Sequence, residues 1–126
     1  MNLIERCQGA RAWHAIFNDY EMPAEINMLY CHLVGNLITF RFESPMVDRA
    51  YPARWEQQHN CFGFDLGFVD AADITVSGLN FYGKTQIYAC ANPRLTIKMQ
   101  THNCTIEFSS PMAYLSNISG YYNELL

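Results

Sequence analysis

From Cys61 to Phe68 the chain reads Cys-Phe-Gly-Phe-Asp-Leu-Gly-Phe, an alternation in which every second residue is a large apolar side chain. Successive side chains of an extended strand point to opposite faces, so this stretch gathers Phe62, Phe64, Leu66 and Phe68 on one side. The other side carries Gly63, Asp65 and Gly67 and is nearly bare. A glycine row of this kind invites a cover, either backbone or an aromatic of the same chain, or a partner.

The same period of two recurs on both sides of Gly35-Asn36. Gly in the first central position suits a type II′ two-residue turn. That turn sets a register in which Leu33 meets Ile38, Cys31 meets Phe40 and Leu29 meets Phe42 on one face. The opposite face then pairs His32 with Thr39, Tyr30 with Arg41 and Met28 with Glu43. A second hairpin follows if His102-Asn103 is a two-residue turn: Met99 faces Ile106 and Ile97 faces Phe108 inside, while Lys98 faces Glu107 outside. Opposite charges directly across a solvent face favour that register. Ile74 to Leu79 and Gln86 to Ala91 are weaker strands, and Met112 to Tyr122 fits either a strand or a short helix.

Before the strands, Leu3, Cys7, Ala10, Trp13, His14 and Phe17 recur at helical spacing. Gly9 interrupts that pattern and Met22-Pro23 stops it, which predicts a helix over Ala10 to Asn18. Ser44 to Gln58 has no clean period and is expected to be a loop that Trp55 pins to the body. The expected fold is α+β and mainly antiparallel β, with six to seven strands in a curled sheet or sandwich and one N-terminal helix. With 126 residues, half of them apolar and 16% charged, the chain suits a single domain spanning 1–126 with its own core.

The five cysteines, Cys7, Cys31, Cys61, Cys90 and Cys104, show no Cys-x-x-Cys spacing, which argues against a structural zinc site. Their odd number, and a start without the basic and long apolar runs of a signal peptide, lead us to expect a reducing cytoplasm with thiols serving as core residues. Asn117-Ile118-Ser119 and Asn103-Cys104-Thr105 match the glycosylation pattern, which a cytoplasmic chain does not use. No apolar run approaches the roughly 20 residues of a membrane helix, so no membrane association is expected. No phosphate loop, dinucleotide fingerprint or metalloprotease helix is present. The cysteines and the four histidines fall where a nucleophile and its base do not converge, so neither an enzyme nor a bound cofactor is expected.

Twelve acids against eight Lys and Arg give a net charge of −4, which disfavours a nucleic-acid surface. Seven of those acids lie in two stretches free of positive charge: Asp19, Glu21 and Glu25, then Glu56, Asp65, Asp70 and Asp73. Ordinary solvated loops explain such stretches, and so does an acidic face for a basic partner. Several tyrosines, among them Tyr30, Tyr51, Tyr82, Tyr121 and Tyr122, fall at surface or loop positions, the residue type enriched in protein interfaces.

Taken in order, the chain carries Trp13, Pro23, the strand pair ending at Phe42, and the loop bearing Pro45, Asp48, Arg49, Pro52, Arg54 and Trp55. Asn60 before the Phe62 to Phe68 strand follows, then Ile118 and Tyr121. In this the chain resembles the immunity protein 50 family of bacterial polymorphic toxin systems. The resemblance implies a single immunity-type domain that binds and neutralises a cognate toxin domain by stoichiometric occlusion and carries no catalytic residue. With a cytoplasmic location, the expected toxin acts in the cytosol and is a nuclease or similar enzyme. Nuclease domains are usually basic, so Asp65, Asp70, Asp73 and Glu56 become the first candidates for contact, with Tyr30, Arg41 and Glu43 on the outer face of the first hairpin as the second set. The rival expectation is a small-ligand-binding β-domain or enzyme whose sheet curls around an aromatic-lined pocket.

Overall fold

Both faces of the alternating strand find partners in a computed structural model of the chain, which describes residues 1–45, Pro52, Trp55 and 59–125. Two short helices come first, α1 (Leu3–Arg6) and α2 (Ala10–Phe17), separated at Gly9 as the broken periodicity anticipates. Among the described residues nine strands follow: β1 (Asn27–Val34), β2 (Leu37–Pro45), β3 (Cys61–Val69), β4 (Ala72–Asn80), β5 (Gly83–Lys84), β6 (Gln86–Ala91), β7 (Leu95–Gln100), β8 (Asn103–Ser110) and β9 (Met112–Tyr121). They form two antiparallel sheets, one ordered β5-β1-β2-β3-β9 and the other β4-β8-β7-β6. Mainly antiparallel β with an N-terminal helix is therefore correct, and six to seven strands is an undercount. The segment that sequence left between strand and helix is β9, and β5 is a two-residue strand held by pairing with Asn27 and Met28.

The sheets pack face to face through phenylalanines. Phe108 of β8 meets Phe40 of β2 and Phe68 of β3 at ring separations of 5.9 and 4.9 Å. Where the second sheet ends, α2 takes over: Trp13 sits edge-on to Phe64 at 5.1 Å, and Phe17 meets Phe62 at 4.7 Å. The long inner face of the five-stranded sheet is thus covered by helix at one end and by sheet at the other. Phe40, Phe42, Phe62, Phe64, Phe68 and Trp13 have no exposed surface.

Both hairpin registers match the turn chemistry. Gly35 takes the positive φ, +60°, that the turn demands, and Leu33, Cys31, His32 and Tyr30 meet their expected partners. Beyond Tyr30 the expectation fails, because a bulge at Leu29 shifts the pairing so that Met28, not Leu29, faces Phe42. Met28 is fully buried and Leu29 only half so. In the second hairpin Met99–Ile106, Ile97–Phe108 and Lys98–Glu107 all pair as expected, the charged pair at 3.8 Å on an open face.

Trp55 packs against the body. Its ring stands 6.0 Å from Phe17 and 6.5 Å from Phe62, and it lies over Gly120 of β9 so closely that a Cβ there would fall 2.2 Å from Cε3. Trp55→Ala is expected to cost about 3 kcal/mol, the lower end for a large aromatic because the ring is only half buried. Gly120→Ala is expected to cost about 1–3 kcal/mol by forcing the ring aside. Because both act on one contact, the double variant should lose clearly less than the sum of the two in denaturant unfolding; strict additivity would show that the ring does not hold β9.

All five cysteines are free, with Cys7, Cys61 and Cys104 buried, Cys31 half-buried and Cys90 exposed. Burial pushes the Cys7 thiol from 9.0 up to about 12. Burial, with a smaller contribution from Cys104, pushes Cys31 up to about 11. Burial and then the Glu43 charge do the same for Cys61, to about 11. The thiolate is the reactive form, so at pH 8 these three are both shielded and protonated. A thiol-exchange reagent added to the native protein at pH 8 should therefore label Cys90 in a fast phase and the others only as the chain unfolds. Equal rates at all five would contradict this packing.

Candidate functional site

The outer face of the five-stranded sheet is where polar chemistry concentrates. Since Phe40 and Phe42 point inward, Thr39, Arg41 and Glu43 point out, and the pairing of β2 with β3 places Arg41 against Asp65. On either side the register continues to Tyr30 of β1 and Ser116 of β9, so one row crosses four strands. Arg41 Nη1 donates to Asp65 Oδ1 at 3.3 Å and to the Asn117 carbonyl at 2.7 Å. Asn117 Nδ2 donates to the other carboxylate oxygen of Asp65 at 2.6 Å. The Arg41 and Asp65 side chains keep only 16% and 11% of their surface, while Tyr30 at the end of the row is 50% exposed.

Two bulges frame this row. One is at Leu29, beside Tyr30. The other lies in β9, where Asn117 and Ile118 stand opposite the single residue Phe64, and Asn117 adopts a left-handed conformation with φ +53°. Asn accepts that conformation more readily than most residues. The extra residue turns the Asn117 carbonyl to Arg41 and its amide to Asp65, the re-aiming that bulges provide. Tyr30, Arg41, Asp65, Asn117, Ile118 and Ser119 line an open depression of about 330 Å³.

One row further along lies Glu43, a buried carboxylate. The Tyr121 hydroxyl donates to its Oε2, and Asn123 Nδ2 donates to its Oε1 at 2.9 Å. Burial first, then the hydrogen bond and charge of Glu43, hold the Tyr121 phenol well above its ordinary pKa. Asn123 is fixed in turn by Asn60, whose Nδ2 donates to the Asn123 carbonyl at 2.7 Å while its Oδ1 accepts from the Asn123 amide at 2.8 Å. The glycine row is covered from within the chain. Arg41 and the Tyr121 ring lie over Gly63, and the Tyr114 ring lies over Gly67.

The first set of expected contact residues is therefore dispersed, and the second lies together on one face. Asp65 is not a free acid of a solvated face: it is buried, 8% exposed, and paired with Arg41. It joins Tyr30, Arg41 and Glu43 on one surface. Asp70 is exposed in the turn after β3, where its carboxylate accepts from Asn36 Nδ2 at 2.6 Å. Asp73 is exposed on the other sheet at the start of β4, and Glu56 lies outside the described residues. Sequence reasoning passed over Asn117, Ser119 and Asn123. The only trace of them was Asn117-Ile118-Ser119, an asparagine between two strand-forming stretches where an αL residue fits.

At the far end of the same face the character changes. Val34 pairs with Leu37, and Val69 with Met112. Alternation puts all four outward, with Val34 60%, Leu37 36% and Met112 38% exposed. The outer face of the other sheet presents Tyr88, Cys90, Thr96, Lys98, Gln100 and Glu107, an ordinary mixed polar surface. Among the described residues no three His, Cys, Asp or Glu side chains are grouped as a metal ion would need, and no helix is long and apolar enough to cross a membrane. Comparison with models of protein families, with curated proteins and with solved structures finds no match.

The Arg41–Asp65 pair gives a direct test of this geometry. Asp65→Asn leaves a largely covered guanidinium without its counter-charge and is expected to cost about 3 kcal/mol, the lower end for breaking a buried pair. Asp73→Asn, on an exposed side chain, should cost under about 0.5 kcal/mol. Urea unfolding that gives the two variants equal stability would mean that Asp65 is solvated after all.

Proposed function

We propose that this chain is an immunity protein. It binds the toxin domain encoded beside it, a basic enzyme that acts in the cytosol and attacks nucleic acid, and neutralises it one-to-one by covering its active surface. The proposal places the contact on the outer face of the five-stranded sheet. What carries it is the difference between the two outer faces. One is mixed and polar; the other joins an exposed apolar row, Val34, Leu37 and Met112, to a fixed charged row ending in an exposed tyrosine. Exposed apolar side chains on one face with ordered polar groups and tyrosines are the materials of a protein-binding surface.

Two further observations support it. The space between the sheets is occupied by rings in mutual contact, as a protein that works through its surface requires, and as an aromatic-lined ligand cavity does not. The net charge of −4 favours encounter with a basic partner, whose association rate falls as salt rises. The resemblance to immunity proteins, carried by Trp13, Pro23, Trp55 and the Phe62 to Phe68 strand, supplies the class of partner.

The neighbouring gene's toxin domain, purified and mixed with the protein, is expected to form a one-to-one complex by light scattering. Co-expression should restore growth of cells making the toxin. Leu37→Ser with Met112→Ser is expected to weaken binding about tenfold, a change of roughly 1.4 kcal/mol, while Gln100→Ser on the opposite sheet leaves it as in the wild type. A neighbouring product that neither binds nor harms cells would overturn the proposal. A complex insensitive to the Leu37 and Met112 changes would move the contact to another face.

A further inference from the structure

The depression beside Tyr30 has a definite charge balance. Arg41 contributes one positive charge, and its Nη1 is already engaged by Asp65 and the Asn117 carbonyl. Asp65 contributes one negative charge, and Glu43, the next acid along this face, lies one row outside the lining. Glu43 receives its hydrogen bonds from neutral donors, the Tyr121 hydroxyl and the Asn123 side-chain amide. The lining itself is balanced, Arg41 against Asp65, and the pair sits in a partly desolvated setting where its charges act more strongly than in water.

The walls suit one kind of guest. Asp65 accepts a single hydrogen bond at each oxygen, which leaves lone pairs for another donor. The Tyr30 ring, half exposed at one rim, offers a π face, and the half-buried Ile118 at the other offers an aliphatic contact. A volume of about 330 Å³ is at the small end for a ligand pocket and is sufficient for one long side chain. Lysine and arginine combine an apolar stem with a cationic head, and the head gains from both a carboxylate and an aromatic face.

We infer that the depression lined by Tyr30, Arg41, Asp65, Asn117, Ile118 and Ser119 is the anchor point for a single Lys or Arg side chain of the protein partner. Its stem lies between Ile118 and Tyr30, and its head donates to the Asp65 carboxylate. An anionic group is disfavoured because the Arg41 Nη1 that would meet it is already engaged by Asp65 and the Asn117 carbonyl. The apolar row of Val34, Leu37 and Met112 lies further along the same face, beyond the row of His32, Thr39 and Tyr114. The identity of the partner rests on the immunity reading; the chemistry of the anchor does not.

Removal of Asp65 would disturb the fold, so the test varies Ser119, an exposed lining residue. Ser119→Lys, Ser119→Gln and Ser119→Glu have side chains of similar reach and differ in charge. Affinity for the neighbouring toxin domain is expected to follow Glu above Gln above Lys, with the Lys variant at least thirtyfold weaker than the Glu variant and Tyr30→Ala about tenfold weaker than wild type. Equal weakening by all three, or the reverse order, would overturn the cationic anchor. A second arm needs no toxin. The amide of N-acetyl-arginine is titrated into the protein and followed by amide chemical shifts, with the neutral isostere N-acetyl-citrulline amide as control. Saturable shifts centred on Tyr30, Asp65 and Asn117 with the arginine probe alone are expected, and are lost in Ser119→Lys. No shifts, or equal shifts with both probes, would overturn the anchor. A wild-type protein that takes the arginine probe but not the toxin would retain the anchor and reject the immunity reading.

Discussion

The register between β2 and β3 decides both faces of this molecule at once. With Phe42 opposite Phe64 and Phe40 opposite Leu66, the aromatic rungs that α2 and the second sheet cover all point inward. The same register sets Arg41 opposite Asp65 and Glu43 opposite Gly63 on the outside. A slip of one residue would turn the phenylalanines to solvent and bring the charges into the core, so the pairing has no near neighbour in energy. Core and candidate surface are two consequences of one alignment.

The glycines of β3 tie the two faces more closely. Gly63 gives Arg41 room to lie across the sheet, since a Cβ there would come within 2.5 Å of Nη2. Lying flat, the guanidinium reaches both the Asp65 carboxylate and the Asn117 carbonyl. Gly67 likewise seats the Tyr114 ring. The bare row is a bed for side chains of neighbouring strands, and those side chains make up much of the outer surface.

Much of the fold was legible because its signals are local. The turns at Gly35-Asn36 and His102-Asn103 specify loop length, and loop length with alternation specifies register, so most hairpin pairs follow from sequence. The bulges at Leu29 and at Asn117–Ile118 were not legible: an inserted residue shows only against the strand it pairs with, and β9 pairs with a strand about fifty residues earlier in the chain. The two-residue β5 depends likewise on a distant partner. Charge spacing marked Asp65 as a member of an unneutralised stretch, but the compensating Arg41 comes from another strand, so local charge runs mistook a paired acid for a free one. The candidate site was thus half visible: Tyr30, Arg41 and Glu43 were placed on one face by the first hairpin, and the residues that complete it required the sheet.

A charge pair covered to this degree is a poor device for stability, because desolvation offsets most of the attraction and an apolar pair of similar size often serves as well. Apolar residues at Arg41 and Asp65 would, however, add a second apolar row to the face that already exposes Val34, Leu37 and Met112, and exposed apolar surface invites unselective association. The pair keeps its row polar. It also fixes its groups before any partner arrives, since Arg41, Asp65 and Asn117 already hold one another through three hydrogen bonds. Side chains ordered in the free state lose little entropy on binding. A surface that must meet one partner tightly and others not at all gains on both counts, which is the physical reason to look for function on this face and not on the other.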